Sequence, residues 1–390
     1  MNILITTYYP SNFGGAEISI ELLARKLKER GNKVVFASNG DYPGFKTYLI
    51  KNNLRYLPVS LQKLYLSNLL TKIVKEENIE IIHANDRLTI PGAIKTAIKN
   101  KVPVVAHFRD YWFVCPKSSC LMPSYHKCST CKLSNLVRCV PLRKLPQSIY
   151  KFYTLRYSLD LLDKANVKIA TSKSVKDKLE LCGLGNIKVI SNPVDFRLFN
   201  IKDLKKSSSE KIVLTFIGTL DYHKGIMNLL KIVIPIIREN RKVSLLIVGD
   251  GPFRDKVKKI IDSSGLSNNI TLLGKLPFSE MKKIYSNSDI VLFPSVWEEP
   301  FGRIAIEAMA MGKPVIASDV GGIKEIVDDK TGIKLDPFDF DGWRKSILLL
   351  LKKKKLRSDI GRRAYKKVRE AYDLNRLTND VEKVYKSILK

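Results

Sequence analysis

The chain is predicted to be an α/β protein of two parallel-sheet domains that face each other across a cleft. Three observations carry that expectation. Short apolar strands alternate with amphipathic helical stretches over residues 1–170, a polar break follows, and a second alternation of the same kind begins at Lys211. At 390 residues the chain is also too long for one comfortable core.

In order, Asn2 to Thr7 reads as a buried strand and Glu17 to Arg30 as an amphipathic helix stopped by Gly31. Strand Lys33 to Ala37, helix Gln62 to Glu76, strand Glu80 to Ala84, helix Pro91 to Lys99 and strand Val102 to Ala106 follow. A cysteine-rich stretch intervenes before helix Gln147 to Lys164 and strand Val167 to Ala170. Asn192-Pro193 marks a break, and the serine- and lysine-rich segment Lys202 to Glu210 reads as a linker. Beyond it, strands are expected at Ile212 to Ile217, Val243 to Val248, Ile270 to Leu273, Asp289 to Phe293 and Pro314 to Ala317. Helices are expected at Gly225 to Glu239, Phe253 to Ser263, Phe278 to Ser286, Gly302 to Met311 and Ile323 to Asp328. The domains are therefore set at 1–197, with a cysteine-rich insertion at 112–145, and at 198–370. A last helix, 371–390, is expected to return to the first domain. Parallel sheets bind ligands at the carboxyl ends of their strands, which puts a site in the cleft.

An apolar share of 45% with 27% charged residues excludes a disordered chain. Apolar runs such as Ile232 to Ile237 are far shorter than the roughly 18 residues of a membrane span. The chain enters Asn2-Ile3-Leu4-Ile5 with no basic leader, so no signal peptide is expected and the cytoplasm is the expected compartment. The formal charge is +30. From Trp112 to Leu159 eight Lys or Arg residues occur with no Asp or Glu, among Trp112, Phe113, Tyr125, Tyr150, Phe152, Tyr153 and Tyr157. That mixture suits an anionic membrane surface. A solvated face would also explain it, as would nucleic acid.

Three stretches carry chemistry. Glu299 precedes Glu307 across Pro300-Phe301-Gly302-Arg303-Ile304-Ala305-Ile306. A helix starting near Gly302 would offer free backbone N–H groups to a diphosphate. The carboxylates, poor phosphate ligands but good hydroxyl acceptors, would then take a sugar on either side. Two surface glutamates near a helix start would give the same spacing. In Gly218-Thr219-Leu220-Asp221-Tyr222-His223-Lys224-Gly225, between strand and helix, Lys224 could neutralise a departing diphosphate or be an ordinary exposed lysine. Gly14-Gly15-Ala16-Glu17, opening the first helix, allows close backbone approach to a ligand.

Taken with Pro10 to Glu17, Asp110-Tyr111-Trp112, Cys115-Pro116, Asn192 to Asp195, Val248 to Pro252 and Val320-Gly321-Gly322 with Glu325, these stretches resemble the retaining family 4 glycosyltransferases, whose paired Rossmann-like domains are called GT-B. The resemblance runs over most of the chain. It implies that Glu307 holds the ribose of a nucleotide-sugar donor and Glu299 the transferred sugar, with Phe301, Gly302 and Arg303 offering backbone amides. It implies Lys224 on the diphosphate and Gly15 in the loop that closes over the phosphates. Two positions depart from the family: Thr219 stands where an arginine is common, and Arg109 where histidine usually precedes Asp-Tyr-Trp. His107, two residues earlier on a strand end, would point the same way as Arg109 toward the cleft.

By the same resemblance the sugar is transferred with retention to a lipid-linked or glycan acceptor, and leaving-group stabilisation does most of the work. No cofactor is expected for catalysis. The implied partners are the nucleotide sugar, the acceptor and an anionic membrane surface, with no nucleic acid, and the implied location is the inner face of the cell membrane. Hydrolysis by paired carboxylates fits less well, because a phosphate-type helix start lies between the two glutamates. A sugar-nucleotide epimerase of the same architecture is the rival enzyme, and a non-enzymatic module binding a nucleotide sugar or nucleic acid the rival class. Five cysteines, Cys115, Cys120, Cys128, Cys131 and Cys139, include a Cys-x-x-Cys pair. Four of them could close a structural zinc site; reduced thiols or redox pairing are the alternatives.

Overall fold

In a computed structural model the protein is described at residues 1–11, 13–122, 128, 131–199, 201 and 211–389. The expected linker Lys202 to Glu210 and Tyr125 lie outside the described residues. The chain divides into two compact units: Met1–Pro193 with Leu374–Lys390, and Val194–Asp373.

The first unit is built on seven parallel strands, β1 (Asn2–Thr6), β2 (Lys33–Ser38), β3 (Lys46–Leu49), β4 (Ile81–Ala84), β5 (Val104–Phe108), β6 (Val167–Ala170) and β7 (Ile187–Val189), in the order β3-β2-β1-β4-β5-β6-β7. Its helices are α1 (Gly15–Glu29), α2 (Val59–Glu76), α3 (Ile90–Asn100), α4 (Leu133–Cys139), α5 (Leu145–Asp163) and α6 (Lys173–Leu181). The last helix of the chain, α14 (Leu374–Ile388), belongs to this unit. Helix α1 forms because Ile20, Leu23, Ala24 and Leu27 recur at helical spacing, with Glu17 in its first turn and Lys26 and Lys28 in its last. That apolar stripe meets Leu377, Val381, Val384 and Tyr385 of α14 over Ile3 and Ile5 of β1. Each such buried side chain contributes about 1.5–3 kcal/mol, an upper figure against a compact unfolded chain.

The second unit repeats the plan with six parallel strands, β8 (Ile212–Ile217), β9 (Val243–Val248), β10 (Ile270–Gly274), β11 (Ile290–Phe293), β12 (Val315–Ser318) and β13 (Gly332–Leu335), ordered β10-β9-β8-β11-β12-β13. Helices α7 (Ile226–Glu239), α8 (Arg254–Ser264), α9 (Met281–Ser286), α10 (Arg303–Ala310), α11 (Ile323–Ile326), α12 (Phe340–Lys352) and α13 (Lys354–Ala371) complete it. One cluster packs α7 and Trp343 of α12 on the sheet around Leu214, Leu245 and Leu292. Another gathers Val291, Ala308, Met309, Ala364 and Val368.

The interior strands are mostly apolar, as expected where both faces of a parallel sheet are covered, with His83, His107, Lys168, Thr215 and Ser244 among the polar members within them. Strands β3, β7 and β13 did not stand out in the sequence. All three are edge strands of three or four residues, and β3 and β7 are largely exposed, so their side chains lack a full apolar run.

Candidate active site

In the second sheet the strand order changes direction between β8 and β11, the place where open parallel sheets hold ligands. The loops leaving the carboxyl ends of these two strands carry Lys224 and Glu299. They are held against each other by backbone contacts. Val296 N–H donates to the His223 carbonyl at 3.0 Å, and Gly225 takes φ +73° with no room for a side chain. A Cβ there would sit 1.8 Å from the Pro294 carbonyl oxygen.

Lys224 Nζ reaches Glu299 Oε1 at 2.5 Å, and the Ser295 hydroxyl and Trp297 indole N–H donate to the same oxygen at 2.6 Å each. The ammonium also lies 5.1 Å from the centre of the Trp297 ring, within cation–π range. Glu299 is only 4% exposed. Burial alone would raise its carboxyl, but Lys224, Ser295 and Trp297 together outweigh burial and hold it below the usual carboxylate range. Neither residue is the exposed side chain that spacing alone allowed.

Glu307 lies on α10 and is 5% exposed. Arg303, one turn earlier, approaches Oε1 at 2.5 Å, and the Tyr285 hydroxyl of α9 donates to Oε2 at 2.8 Å. Helix α10 opens at Gly302, whose φ of +121° and contact with Ile323 leave no space for a Cβ, and no side chain caps the first turn. A helix start without a side-chain cap is a place where an anion can be held. Phe301 packs its ring into the core beside Tyr372 and can offer only backbone. Thr219 is exposed in the Lys224 loop. The loop after β12 braces the Glu299 segment: Gly322 N–H donates to the Glu299 carbonyl at 2.7 Å, and Gly321 N–H to Glu298 at 3.0 Å.

In the first unit, Gly15 begins α1 and Arg109 follows β5. Arg109 donates to Asn85 Oδ1, Asn192 Oδ1 and His107 Nδ1. His107 is enclosed between His83 and Arg109 at 2% exposure. Glu17, Asp86 and Asp110 gather near the carboxyl edge of this sheet. Burial first, then mutual repulsion, pushes Glu17 up to about 7 and Asp110 to about 6.

Comparison with known proteins fits this geometry. Residues 13–198 match the model of Glycosyltransferase Family 4, and residues 199–367 that of Glycosyl transferases group 1. The chain belongs to the group 1, family 4-like glycosyltransferases. An uncharacterized glycosyltransferase of Methanocaldococcus jannaschii is 28% identical over 98% of this chain and 97% of its own. The N-acetyl-alpha-D-glucosaminyl L-malate synthase of Bacillus anthracis is 26% identical over 98% and 96%. Among solved structures, Anabaena HepE in complex with UDP and glucose aligns with a TM-score of 0.75 at 20% identity, covering 99% of this chain and 100% of that one. Sucrose-phosphate synthase of Thermosynechococcus elongatus gives 0.78 at 18%, covering 100% and 99%. The glycosyltransferase fold is GT-B.

Several residues of the candidate site carried no mark in the sequence. Ser295 and Trp297, four and two residues before Glu299, could have been found as donors on the same loop. Tyr285 lies 22 residues from Glu307 and had no local signal. The aromatic set of the basic stretch divides: Trp112, Phe113 and Phe152 are core, while Tyr150, Tyr153 and Tyr157 are exposed. All five cysteines of the cluster line one small pocket with Leu121 and Leu136. A hydrogen bond from Cys120 lowers the Cys115 thiol to about 6, and burial raises Cys131 to about 12. Among the described residues, no group of three or more His, Cys, Asp or Glu side chains is arranged to hold a metal ion.

Proposed function

We propose that this glycosyltransferase takes the sugar of a nucleotide-sugar donor bound by its C-terminal unit and passes it to an acceptor hydroxyl with retention of anomeric configuration. The observation that carries the reading is the Lys224–Glu299 pair at the change of strand order, with Glu307 and the uncapped start of α10 following on the same loop and helix. When a donor enters, Lys224 exchanges Glu299 for the diphosphate, and the freed carboxylate oxygen accepts a hydroxyl of the sugar. Glu307, fixed by Arg303 and Tyr285, accepts the ribose hydroxyls through its remaining lone pairs. As the sugar–phosphate bond breaks, charge grows on the leaving oxygen, and Lys224 and the first N–H groups of α10 meet it. The acceptor approaches from the face the diphosphate leaves, and the leaving phosphate oxygen takes its proton.

The first unit supplies the acceptor side and, in this reading, the membrane contact. Leu133, Val137, Leu142, Tyr150, Tyr153 and Tyr157 are exposed along α4, α5 and the turn between them, among the exposed cations Arg138, Arg143, Lys144 and Arg156. Among the described residues no helix is long and apolar enough to cross a membrane. We assign this face to an anionic membrane surface on the cytoplasmic side, where a lipid-linked or glycan acceptor would be met. The zinc reading of the cysteines has their shared pocket in its favour and the lack, among the described residues, of any group arranged to hold a metal ion against it. Metal analysis of purified protein checks it, with about one zinc per chain expected and none overturning it.

A thermal-shift panel of nucleotide sugars tests the donor reading, beginning with UDP-glucose because solved HepE complexes contain UDP and UDP-glucose. A donor at about 100 times its Kd adds roughly 2.7 kcal/mol to the fold. A panel in which no nucleotide or nucleotide sugar raises the melting temperature rejects the reading.

A further inference from the structure

Four side chains of the N-terminal unit form one chain of hydrogen bonds to which the reaction above assigns no part. The Tyr385 hydroxyl of α14 lies 2.5 Å from His83 Nδ1 on β4. His83 Nε2 lies 3.1 Å from His107 Nδ1 on β5, and Arg109 Nη2 lies 3.1 Å from that same nitrogen. Arg109 is otherwise gripped by Asn85 and Asn192.

The proton positions follow from the arginine. A guanidinium only donates, so His107 Nδ1 is an acceptor and its ring proton is on Nε2. Two acceptor nitrogens do not face each other at hydrogen-bond distance, so His83 Nε2 carries a proton and donates to His107. His83 Nδ1 is then an acceptor, and the Tyr385 hydroxyl donates to it. Burial, with Arg109 adding to it, lowers His83 to about 3 and His107 well below its ordinary value, so both rings are neutral. The arrangement has a visible cost. His107 Nε2 is buried without a partner, beside a small pocket lined by Ser19, Leu23, Ile190, Leu377 and Val381. An unpaired buried donor is unfavourable, and here it is what the order of protons at Arg109 demands.

We propose that Tyr385 is a positioning residue for Arg109, acting through His83 and His107. The proposal rests on the proposed function and on the expectation, implied by the family resemblance, that Arg109 takes part in transfer. Without the tyrosine hydroxyl, His83 can carry its proton on Nδ1 and turn a lone pair toward His107. His107 then gains by protonating Nδ1, and that N–H opposes the N–H of Arg109. The guanidinium has to move. One hydroxyl on the last helix thus governs where a cation stands at the carboxyl edge of the sheet.

The test is the protonation state of the ring nitrogens in full-length protein, read by long-range ¹H–¹⁵N NMR at neutral pH. The chain has four histidines, and single replacements of His126 and His223 by Gln identify the other two. Neutral rings with the proton on Nε2 are expected for both His83 and His107 in the wild type; a proton on Nδ1 of either overturns the proposal even if no variant folds. Tyr385→Phe is expected to shift the His83 signals and lower kcat about tenfold, with the donor Kd unchanged. A shifted His83 with undiminished kcat overturns the proposal if Arg109→Gln is inactive. If Arg109→Gln transfers at the wild-type rate, the placing of Arg109 at the site fails instead, and the positioning role falls with it.

Discussion

Lys224 Nζ lies 2.5 Å from Glu299 Oε1, and the bond crosses the point where the strand order of the second sheet changes direction. Each residue is thereby held in place by the other. The same contact makes Lys224 both a structural partner and the cation assigned to the diphosphate, and the two roles can be separated. Lys224→Met leaves a buried carboxylate unpaired and is expected to lose stability and turnover together. Adding Glu299→Gln removes the orphaned charge and is expected to recover most of the stability, read by urea denaturation. The loss in turnover, on the scale of 2.7–4 kcal/mol for removing one group that meets transition-state charge, should persist. Recovery of turnover in the double variant would remove both residues from the reaction.

Tyr285 holds Glu307 through a 2.8 Å hydrogen bond. Tyr285→Phe leaves one carboxylate oxygen short of a donor and is expected to weaken nucleotide binding by a few-fold, with about 0.5–1.5 kcal/mol lost from the fold. Calorimetric titration compares it with the wild type. Unchanged affinity in a destabilised variant would confine Tyr285 to a packing role.

Glu17 gives a pH signature. Its folded-state carboxyl sits at about 7, above the ordinary 4.5, because burial outweighs its own backbone N–H. The folded chain therefore holds this proton more tightly than the unfolded chain. The stabilising contribution is complete below about 4.5 and is lost as pH rises through 7, roughly 3 kcal/mol at most. Between pH 5 and 8 the wild type should lose more stability than Glu17→Gln, which has no proton to lose. Equal losses would mean that Glu17 is solvated.

Exposed Arg143, Lys144 and Arg156, with half-buried Lys151, lie in the stretch that carries Tyr150, Tyr153 and Tyr157 and make the membrane reading testable by charge reversal. Replacing Arg143, Lys144, Lys151 and Arg156 by Glu should abolish sedimentation with anionic vesicles at low salt, since each nearby cation contributes about 1 kcal/mol. Nucleotide binding should be unaffected. High salt should release the wild type. A wild type that ignores anionic vesicles at low salt would leave only a solvated face.

Legibility followed the range of the interactions. Strands β1, β5, β8 and β11 were visible because burial on both faces demands mostly apolar runs. Lys224, Glu299 and Glu307 were visible through local spacing and family resemblance. Their burial was not, because it depends on loops 75 residues apart in sequence being brought to one place. The Tyr385–His83 contact, whose partners are 302 positions apart in sequence, has no local trace at all. The cysteines were legible as a cluster, and only the fold could add that they share one apolar pocket.

The reading of the second unit as the donor site turns on Glu307, whose carboxylate is bonded to Arg303 and Tyr285 and assigned to the ribose. Calorimetric titration of the nucleotide selected by the thermal-shift panel into the wild type and into folded Glu307→Ala measures it. Loss of that acceptor should weaken binding by about 1.5–3 kcal/mol, roughly 10- to 150-fold in Kd. An unchanged Kd in a variant that melts cooperatively would place the nucleotide elsewhere.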